Sequence, residues 1–100
     1  MGEIRDHNDR KIGTIKDDGS VYSVENSRLG HISSDGVVYD HDGSRVGHID
    51  SGGYVYNSNG NHSGTVRSDG DVFDYGGSHI GRITGSHIEF GGAALVLLFK

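Results

Sequence analysis

The sequence predicts an all-β domain, an antiparallel meander of repeated two-strand hairpins that curls into a barrel-like or sandwich-like body. Three observations predict it: a 17-residue repeat, two turn signals within each repeat, and 18 glycines without a single proline among 100 residues. Glycine supplies the positive φ that tight turns need, and short apolar stretches between such turns are typical of strands. A parallel β-roll is the alternative architecture.

The repeat consists of a glycine, an aliphatic residue two places later and an aromatic residue seven places after that. The second full unit shows it most clearly and reads GHISSDGVVYDHDGSRV from Gly30 to Val46. The glycines are residues 13, 30, 47, 64 and 81; the aliphatic residues are Ile15, Ile32, Ile49, Val66 and Ile83; the aromatic residues are Tyr22, Tyr39, Tyr56, Phe73 and Phe90.

The repeat divides one domain, residues 1–100, into units. The chain opens on a half unit, in which Gly2 and Ile4 match Gly36 and Val38 of the full unit. A chain of this length forms one small domain with one modest core, and we expect about eleven short strands. The half unit spans 2–12, full units span 13–29, 30–46, 47–63 and 64–80, and a degenerate capping unit spans 81–100.

Each unit carries two pairs of turn residues, such as Asp35-Gly36 and Asp42-Gly43. Such pairs are strong signals for two-residue type I′ hairpin turns, because that turn needs positive φ at both central positions. They reverse the chain in place, whereas the calcium-binding β-roll needs the motif GGxGxDxUx, which this chain lacks. The turns therefore favour the meander over the β-roll.

Two-residue loops would set Ile32 opposite Tyr39, and Tyr39 opposite Val46, so that these residues form one apolar face. Val46 and Ile49 are three residues apart and would point to opposite faces, unless a β-bulge at Gly47 restores them to one side. The other face of the sheet then carries one valine per unit among polar residues and is mostly exposed to solvent. These valines are residues 21, 38, 55 and 72.

The C-terminal segment, residues 93–99, is apolar at every position, which suits an element covered on both sides. We expect it to close the domain as a terminal cap of the repeat array. The alternatives are a short helix across the apolar face and an oligomer interface. The interface candidates are Leu95, Val96, Leu97, Leu98 and Phe99.

The repeat motif G-x-(I/V)-x-x-D-G-x-V-(Y/F)-D-x-x-G-x-x-(I/V), over residues 2–90, resembles the short tandem β-hairpin repeats of bacterial and fungal domains of unknown function. Its layout is also similar to the choline-binding hairpin repeats of cell-wall proteins. Those units are longer and use tryptophan cages, and this chain has no tryptophan. The resemblance therefore implies the hairpin layout and no activity.

Charge and composition exclude several classes of protein. The net charge of −5 has the wrong sign for a protein that neutralises phosphates, so no nucleic-acid partner is expected. There is no cysteine, which excludes disulfides and thiolate zinc sites. The N-terminus is too polar for a secretory signal and residues 93–99 are too few to span a bilayer, so the expected location is cytoplasmic by default.

The aromatic series is the main candidate for ligand binding. On an exposed face, Tyr22, Tyr39, Tyr56 and Phe73 could form a platform for sugar rings or an extended polymer. In the register above, however, each ring stands opposite an apolar partner, which favours packing in the core.

Other chemistry finds less support in the sequence. Equivalent histidines such as His31 and His48 lie two strands apart in a meander, about 9.5 Å, which is too far for one metal ion. The acidic stretch around Asp40 and Asp42 lacks the distal glutamate of a calcium loop and is explained by turn formation. No motif combines a nucleophile, a base and an oxyanion donor. We therefore predict no metal site, no cofactor and no enzymatic activity.

The predicted function is a non-enzymatic binding or structural module. Protein interaction or self-assembly is favoured, because the C-terminus is apolar and a linear meander leaves exposed edge strands. Binding of a carbohydrate or another small ligand through the aromatic series is the alternative. Residues that vary between units, such as His31, His41, Ser44 and Arg45, remain free for function.

Overall fold

The computed structural model describes residues 1–99 and contains ten antiparallel strands and one helix. The strands follow one another as a meander and close into a barrel in which β1 pairs with β10. The elements are β1 Gly2–Asp6, β2 Lys11–Ile15, β3 Ser20–Ser23, β4 Arg28–Ile32, β5 Val37–Asp40, β6 Arg45–Ile49, β7 Tyr54–Asn57, β8 His62–Val66, β9 Asp71–Asp74, β10 His79–Gly85 and α1 Ile88–Leu98. The predicted antiparallel meander is confirmed, with ten strands instead of about eleven.

The barrel closes because the two ends of the repeat array complete each other. Strand β1 belongs to the N-terminal half unit, and β10 contains Gly81 and Ile83 of the last unit. Ile4 pairs with Ile83 just as Val38 pairs with Ile32 inside the second full unit. The described chain therefore holds five hairpin units, of which the fifth is assembled from both ends. Closure leaves no free edge strand, contrary to the linear meander expected above.

All nine connections between consecutive strands use the same three-residue loop. In the first unit the Gly19 amide donates to the Lys16 carbonyl at 2.9 Å, and the Lys16 amide donates to the Ser20 carbonyl at 2.8 Å. This is a type I turn followed by one residue of positive φ, and only that residue needs a left-handed conformation. The positive-φ residues are Asp9, Gly19, Asn26, Gly36, Gly43, Gly53, Gly60, Gly70 and Gly77.

The prediction of two-residue type I′ turns is therefore wrong, and the error shifts the register by one residue. Ile32 pairs with Val38, and His31 pairs with Tyr39. Because successive side chains of a strand alternate between its faces, a shift of one residue exchanges the two faces. The valines predicted to face solvent are buried in the core, and the aromatic rings point outward.

The predicted bulge at Gly47 is confirmed. Val38 pairs with Gly47 and Tyr39 pairs with Arg45, so Val46 is the extra residue between them. Ile49 is buried in the barrel and Val46 packs against the same core, as the bulge requires. The same irregularity recurs at the equivalent position of every unit.

The C-terminal apolar segment is a helix inside the barrel and not a strand. Helix α1 contacts every strand except β3 closely, and Gly91 to Leu95 are buried. A helix that is apolar on all sides is stable only when it is surrounded, which the barrel achieves. The segment is buried within the chain, but the barrel itself is closed by the pairing of β1 with β10. Phe90, assigned above to the aromatic series, belongs to the helix as well.

Where the barrel and the helix meet, a large side chain of one packs against a glycine of the other. In the first half of the helix, a Cβ atom added at Gly92 would lie 2.6 Å from Val66 Cγ1. In the second half the relation reverses, since a Cβ added at Gly47 or Gly64 would lie 2.7 Å from Leu97 Cδ1 or 2.8 Å from Val96 Cγ2. The added Cβ would also meet the carbonyl oxygen of Tyr56 at Gly47 and of Phe73 at Gly64, so these glycines make room for the neighbouring strand as well as for the helix, although their φ is not positive.

The burial of the helix bears on the five predicted interface residues. Leu95 and Leu97 are each only 5% exposed and belong to the core cluster. Val96, Leu98 and Phe99 are partly buried and pack against that cluster. The prediction that these side chains form an exposed interface is not supported by their positions, because they fill the barrel instead. Among residues 1–99, no helix has the length and apolar character needed to cross a membrane.

Candidate functional site

The outward face of the barrel carries a continuous girdle of aromatic and basic side chains, which we call the outer belt. It consists of three outward positions in each of the five hairpin units, and neighbouring members are cross-strand partners. Tyr39, for example, lies between His31 of β4 and Arg45 of β6. The five triplets are Arg5, Lys11 and Thr14; Tyr22, Arg28 and His31; Tyr39, Arg45 and His48; Tyr56, His62 and Thr65; and Phe73, His79 and Arg82.

Histidine and tyrosine side chains stack in two successive units of the outer belt. The ring centroids of His31 and Tyr39 are 4.9 Å apart, with an angle of 19° between the ring planes. His48 and Tyr56 repeat this arrangement at 5.1 Å and 23°. On its other side, Tyr56 meets His62 edge to face at 6.0 Å. Such contacts fix the rings in place, so the outer belt presents ordered aromatic groups to solvent.

The arginines of the same two units contact these histidines. The bulge places Arg45 and His48, three residues apart on β6, on the outward face together. Arg45 Nη2 lies 3.2 Å from His48 Nδ1, and Arg28 Nη2 lies 3.5 Å from His31 Nδ1. A guanidinium can only donate, so Nδ1 of His48 is the acceptor in this contact. The Arg45 guanidinium thereby lies between two aromatic stacks, and that of Arg28 lies between Tyr22 and the stack of His31 on Tyr39.

The outer belt changes character toward Phe73. An open groove of about 350 Å³ lies beside this ring and is lined by Thr65, Arg67 and Tyr75 among others. The Arg67 guanidinium stands over the Phe73 ring, 5.3 Å from its centroid. The groove gives the outer belt a concave subsite beside Phe73.

Within residues 1–99, carboxylates pair with the cations of the outer belt on β1, β2 and β10, where Lys11 Nζ lies 4.0 Å from Glu3 Oε2. Arg5 Nη2 pairs with Glu3 Oε1 at 2.8 Å, and His79 Nε2 lies 3.4 Å from Asp71 Oδ1. Across residues 11–65, the outward strand positions carry no carboxylate. Arg28 and Arg45, within this part of the outer belt, therefore have no paired carboxylate among residues 1–99, although the whole chain is acidic.

Most other acidic side chains lie in the turns at the two ends of the barrel, where they stabilise the loops. Asp40 Oδ1 accepts the amides of Asp42 and Ser44 at 2.9 and 3.0 Å, which confirms turn formation as the explanation of this acidic stretch. Asp6 repeats the arrangement, and the hydrogen bond from the Arg10 amide is the main cause that lowers the pKa of its carboxyl group.

Histidines do not converge on a common point. His31 and His48 each stack on a different tyrosine, as their separation by two strands led us to expect. The part of the chain that the structure describes contains no group of three or more His, Cys, Asp or Glu side chains arranged to hold a metal ion. At the barrel end where the helix enters, His87 Nε2 lies 2.9 Å from Asp17 Oδ1 and links the helix start to the β2–β3 turn.

The predicted ligand-binding residues Tyr22, Tyr39, Tyr56 and Phe73 occupy equivalent places in the outer belt, and all four are partly exposed. The interpretation that these rings pack in the core is wrong, because the three-residue turns place them outside. Sequence reasoning missed their pairing with Arg28 and the other cations of the outer belt. The signal was present as Arg-x-x-His, at residues 28–31 and again at 45–48, one repeat apart.

The model of the family described as 5-fold beta-flower protein matches residues 1–91. The five hairpin units of the barrel agree with the five-fold character in that description. This family is a repeat β-hairpin family and is not that of the choline-binding repeats. Neither the comparison with curated proteins nor the comparison with solved structures gives a match.

Proposed function

The chain belongs to the 5-fold beta-flower protein family, and from this premise we propose that it is a non-enzymatic module that binds a glycan chain along its outer belt. The observation that carries the proposal is the set of four outward aromatic rings at equivalent positions of successive hairpins. Each ring has a guanidinium or imidazole beside it. Aromatic rings pack against the C–H groups of a sugar, while these donors hydrogen-bond to its hydroxyl oxygens.

A repeating ligand suits this surface better than a folded protein partner. The barrel is convex and small, with principal extents of 30 × 29 × 21 Å. A rigid partner would touch only a few neighbouring strands of such a cylinder, whereas a flexible polymer can follow the outer belt from unit to unit. Repetition of one subsite also allows several weak contacts to add up through avidity.

The structure removes both reasons that favoured self-assembly in the sequence. The barrel has no free edge strand, and the apolar C-terminal residues fill its interior. The exposed large apolar side chains lie at the N-terminus, in two different turns and on β7; they are Met1, Val24, Tyr75 and Tyr54. Single exposed apolar residues of this kind are normal on a monomer. We therefore rank glycan binding above protein assembly.

A panel of neutral and acidic oligosaccharides, titrated against the protein by calorimetry, tests the proposal. We expect binding to at least one class, and the double variant Tyr39→Ala/Tyr56→Ala should weaken it at least tenfold, because a stacked ring contributes about 1–3 kcal/mol in comparable stacking sites. Tyr39→Phe/Tyr56→Phe keeps the rings and should retain most of the affinity.

The control variant is His41→Ala, which removes an exposed aromatic side chain from a turn outside the outer belt and should bind like the original chain. Circular dichroism of each variant checks that the barrel is folded. Absence of binding to every glycan at millimolar concentration would refute the proposal. Equal loss in His41→Ala and Tyr39→Ala/Tyr56→Ala would also contradict it, since the contact would then not be specific to the outer belt.

A further inference from the structure

Two units of the outer belt contain the same constellation of side chains. In one, Arg28 and His31 lie between Tyr22 and Tyr39; in the other, Arg45 and His48 lie between Tyr39 and Tyr56. The Arg-to-His distances are 3.5 and 3.2 Å, and the stacking distances are 4.9 and 5.1 Å. The agreement of these distances indicates two equivalent subsites and not two accidental contacts.

The two arginines of these subsites lack the partner that a surface arginine commonly has. Both are exposed, and neither lies within salt-bridge distance of a carboxylate in residues 1–99. Lys11, at the equivalent position one repeat earlier, lies 4.0 Å from Glu3 Oε2 instead. A guanidinium held beside an aromatic stack and left without a carboxylate is suited to bind one from a ligand, because it can donate two parallel hydrogen bonds.

The spacing of the subsites defines the spacing of the charges they would accept. Arg28 and Arg45 lie on β4 and β6, two strands apart, which is about 9.5 Å at the backbone. An extended glycan whose sugars alternate between neutral and acidic presents one carboxylate per disaccharide, at a comparable interval. A single-stranded nucleic acid carries a charge on every nucleotide and therefore at a shorter interval. The net charge of −5 and the carboxylates in the turns at both barrel ends also disfavour a densely charged polymer.

Building on the proposed glycan-binding function, we infer that the ligand is an acidic polysaccharide with one uronic acid per disaccharide. Arg28 and Arg45 bind the carboxylates of two successive disaccharides, and the intervening Tyr39 contacts the sugar between them. His31 and His48 are positioning residues, since each holds an arginine on one side and a tyrosine on the other.

The experiment compares an octasaccharide of alternating glucuronic acid and N-acetylglucosamine with the same octasaccharide after reduction of its carboxyl groups. Binding is measured by calorimetry at low and at physiological ionic strength. We expect the acidic form to bind at least tenfold more tightly, because hydrogen bonds to charged groups are roughly twice as strong as neutral ones. Raising the ionic strength should narrow the difference, since exposed charges are screened by salt.

Three charge-removing variants locate the effect. Arg28→Gln and Arg45→Gln should each weaken binding of the acidic octasaccharide roughly tenfold, by loss of one charge-assisted contact, and should leave the reduced octasaccharide unaffected. The control is Arg10→Gln, which removes the same charge from an exposed turn and should change little. A loss in Arg10→Gln equal to that in Arg28→Gln would overturn the inference, because attraction would then be general.

The remaining outcomes separate this inference from the proposed function. Equal affinity for the acidic and the reduced octasaccharide overturns the inference and leaves glycan binding standing. Absence of binding to both, with binding of other glycans in the panel, overturns only the uronate assignment. Tighter binding of single-stranded polyuridylate than of any glycan overturns both. His31→Ala tests the positioning role, since it should weaken the acidic octasaccharide more than the reduced one.

Discussion

The packing of the helix inside the barrel can be tested by substituting one small residue of the helix and one large residue of the barrel that face each other, singly and together. Gly92 of α1 faces Val66 of β8, and a Cβ atom added at Gly92 would meet only side-chain atoms of that valine, at 2.6 Å for Cγ1 and 3.0 Å for Cβ. Val66 is 4% exposed, so neither side chain can move into solvent. The crowding of Gly92→Ala should therefore be relieved by Val66→Ala.

The magnitudes follow from burial and helix propensity. Val66→Ala removes two buried methyl groups, worth about 1.6 kcal/mol by transfer, and leaves a cavity, so we expect roughly 2–3 kcal/mol of destabilisation. Gly92→Ala overpacks the core by about 1–3 kcal/mol but gains about 1 kcal/mol of helix propensity. In the double variant the alanine Cβ fills the vacated space, so the total should fall about 2 kcal/mol below the sum of the single changes.

Urea unfolding of the four chains, followed by far-ultraviolet circular dichroism and tyrosine fluorescence, measures this coupling energy. The control cycle combines Gly92→Ala with Val21→Ala, because Val21 is equally buried but lies on β3, which the helix scarcely touches. That cycle should be additive within about 0.5 kcal/mol. If Gly92→Ala and Val66→Ala had additive effects on the free energy of unfolding, the close packing of these two residues would be refuted.

Three further predictions concern the turns and the C-terminus. Because the pKa of Asp6 is lowered in the folded protein, its contribution to stability is present above the ordinary carboxyl pKa of about 3.9 and is lost as pH falls through the lowered pKa. Asp6→Asn should keep the turn, as Asn57 does in the equivalent place, and should reduce the acid dependence of the melting temperature. Asn26→Gly should stabilise the protein by about 0.5 kcal/mol in urea unfolding, because it relieves a φ of 69°. A chain ending at Gly92 should be unfolded by circular dichroism, because it loses the buried part of the helix.

Each of these predictions has a matched comparison. An equally steep fall in melting temperature in Asp6→Asn as the pH falls below the ordinary carboxyl value of about 3.9 would show that this carboxylate is not responsible. Glu25→Gly, one residue earlier in the same turn and without positive φ, should destabilise; stabilisation by both variants would point to a general effect of glycine in the loop. A folded monomer of the chain ending at Gly92, by circular dichroism with light scattering, would contradict the central role of the helix.

The fold could be predicted to the level of an antiparallel meander because the 17-residue repeat fixes where every strand and turn lies. The face of the sheet to which each side chain points could not be predicted, because it depends on whether the loops have two or three residues. Asp-Gly is compatible with a two-residue type I′ turn and equally with the last two residues of a three-residue loop. The hydrogen bond that the Ser44 amide donates to the Asp40 carboxylate favours the longer loop, and it joins residues four apart that no Asp-Gly dipeptide contains together.

The candidate site was predicted only in part for the same reason. Tyr39 and its equivalents were recognised as candidates, but the assumed register placed them opposite aliphatic residues and hid their basic neighbours. With the observed register, each of the four strand aromatics faces an arginine or a histidine on the following strand; these are Tyr22, Tyr39, Tyr56 and Phe73. The pairing follows from sequence spacing once the loop length is known, since the bulge sets Arg45 opposite Tyr39 and keeps His48 on the same face.

The position of the helix depended on information that no single segment contains. The apolar segment 93–99 has no amphipathic pattern, so its own sequence does not distinguish a strand from a helix. The decisive feature lies elsewhere, in the bulge glycines, whose φ is not positive and which the turns do not need. A glycine that repeats inside a strand without a conformational reason indicates that another part of the chain approaches closely. Each of the five bulge glycines lies against a carbonyl oxygen of the adjacent strand, and four of them also lie against side chains of the apolar C-terminal segment; these four are Gly13, Gly47, Gly64 and Gly81. The glycines therefore accommodate both the neighbouring strand and an occupant of the barrel.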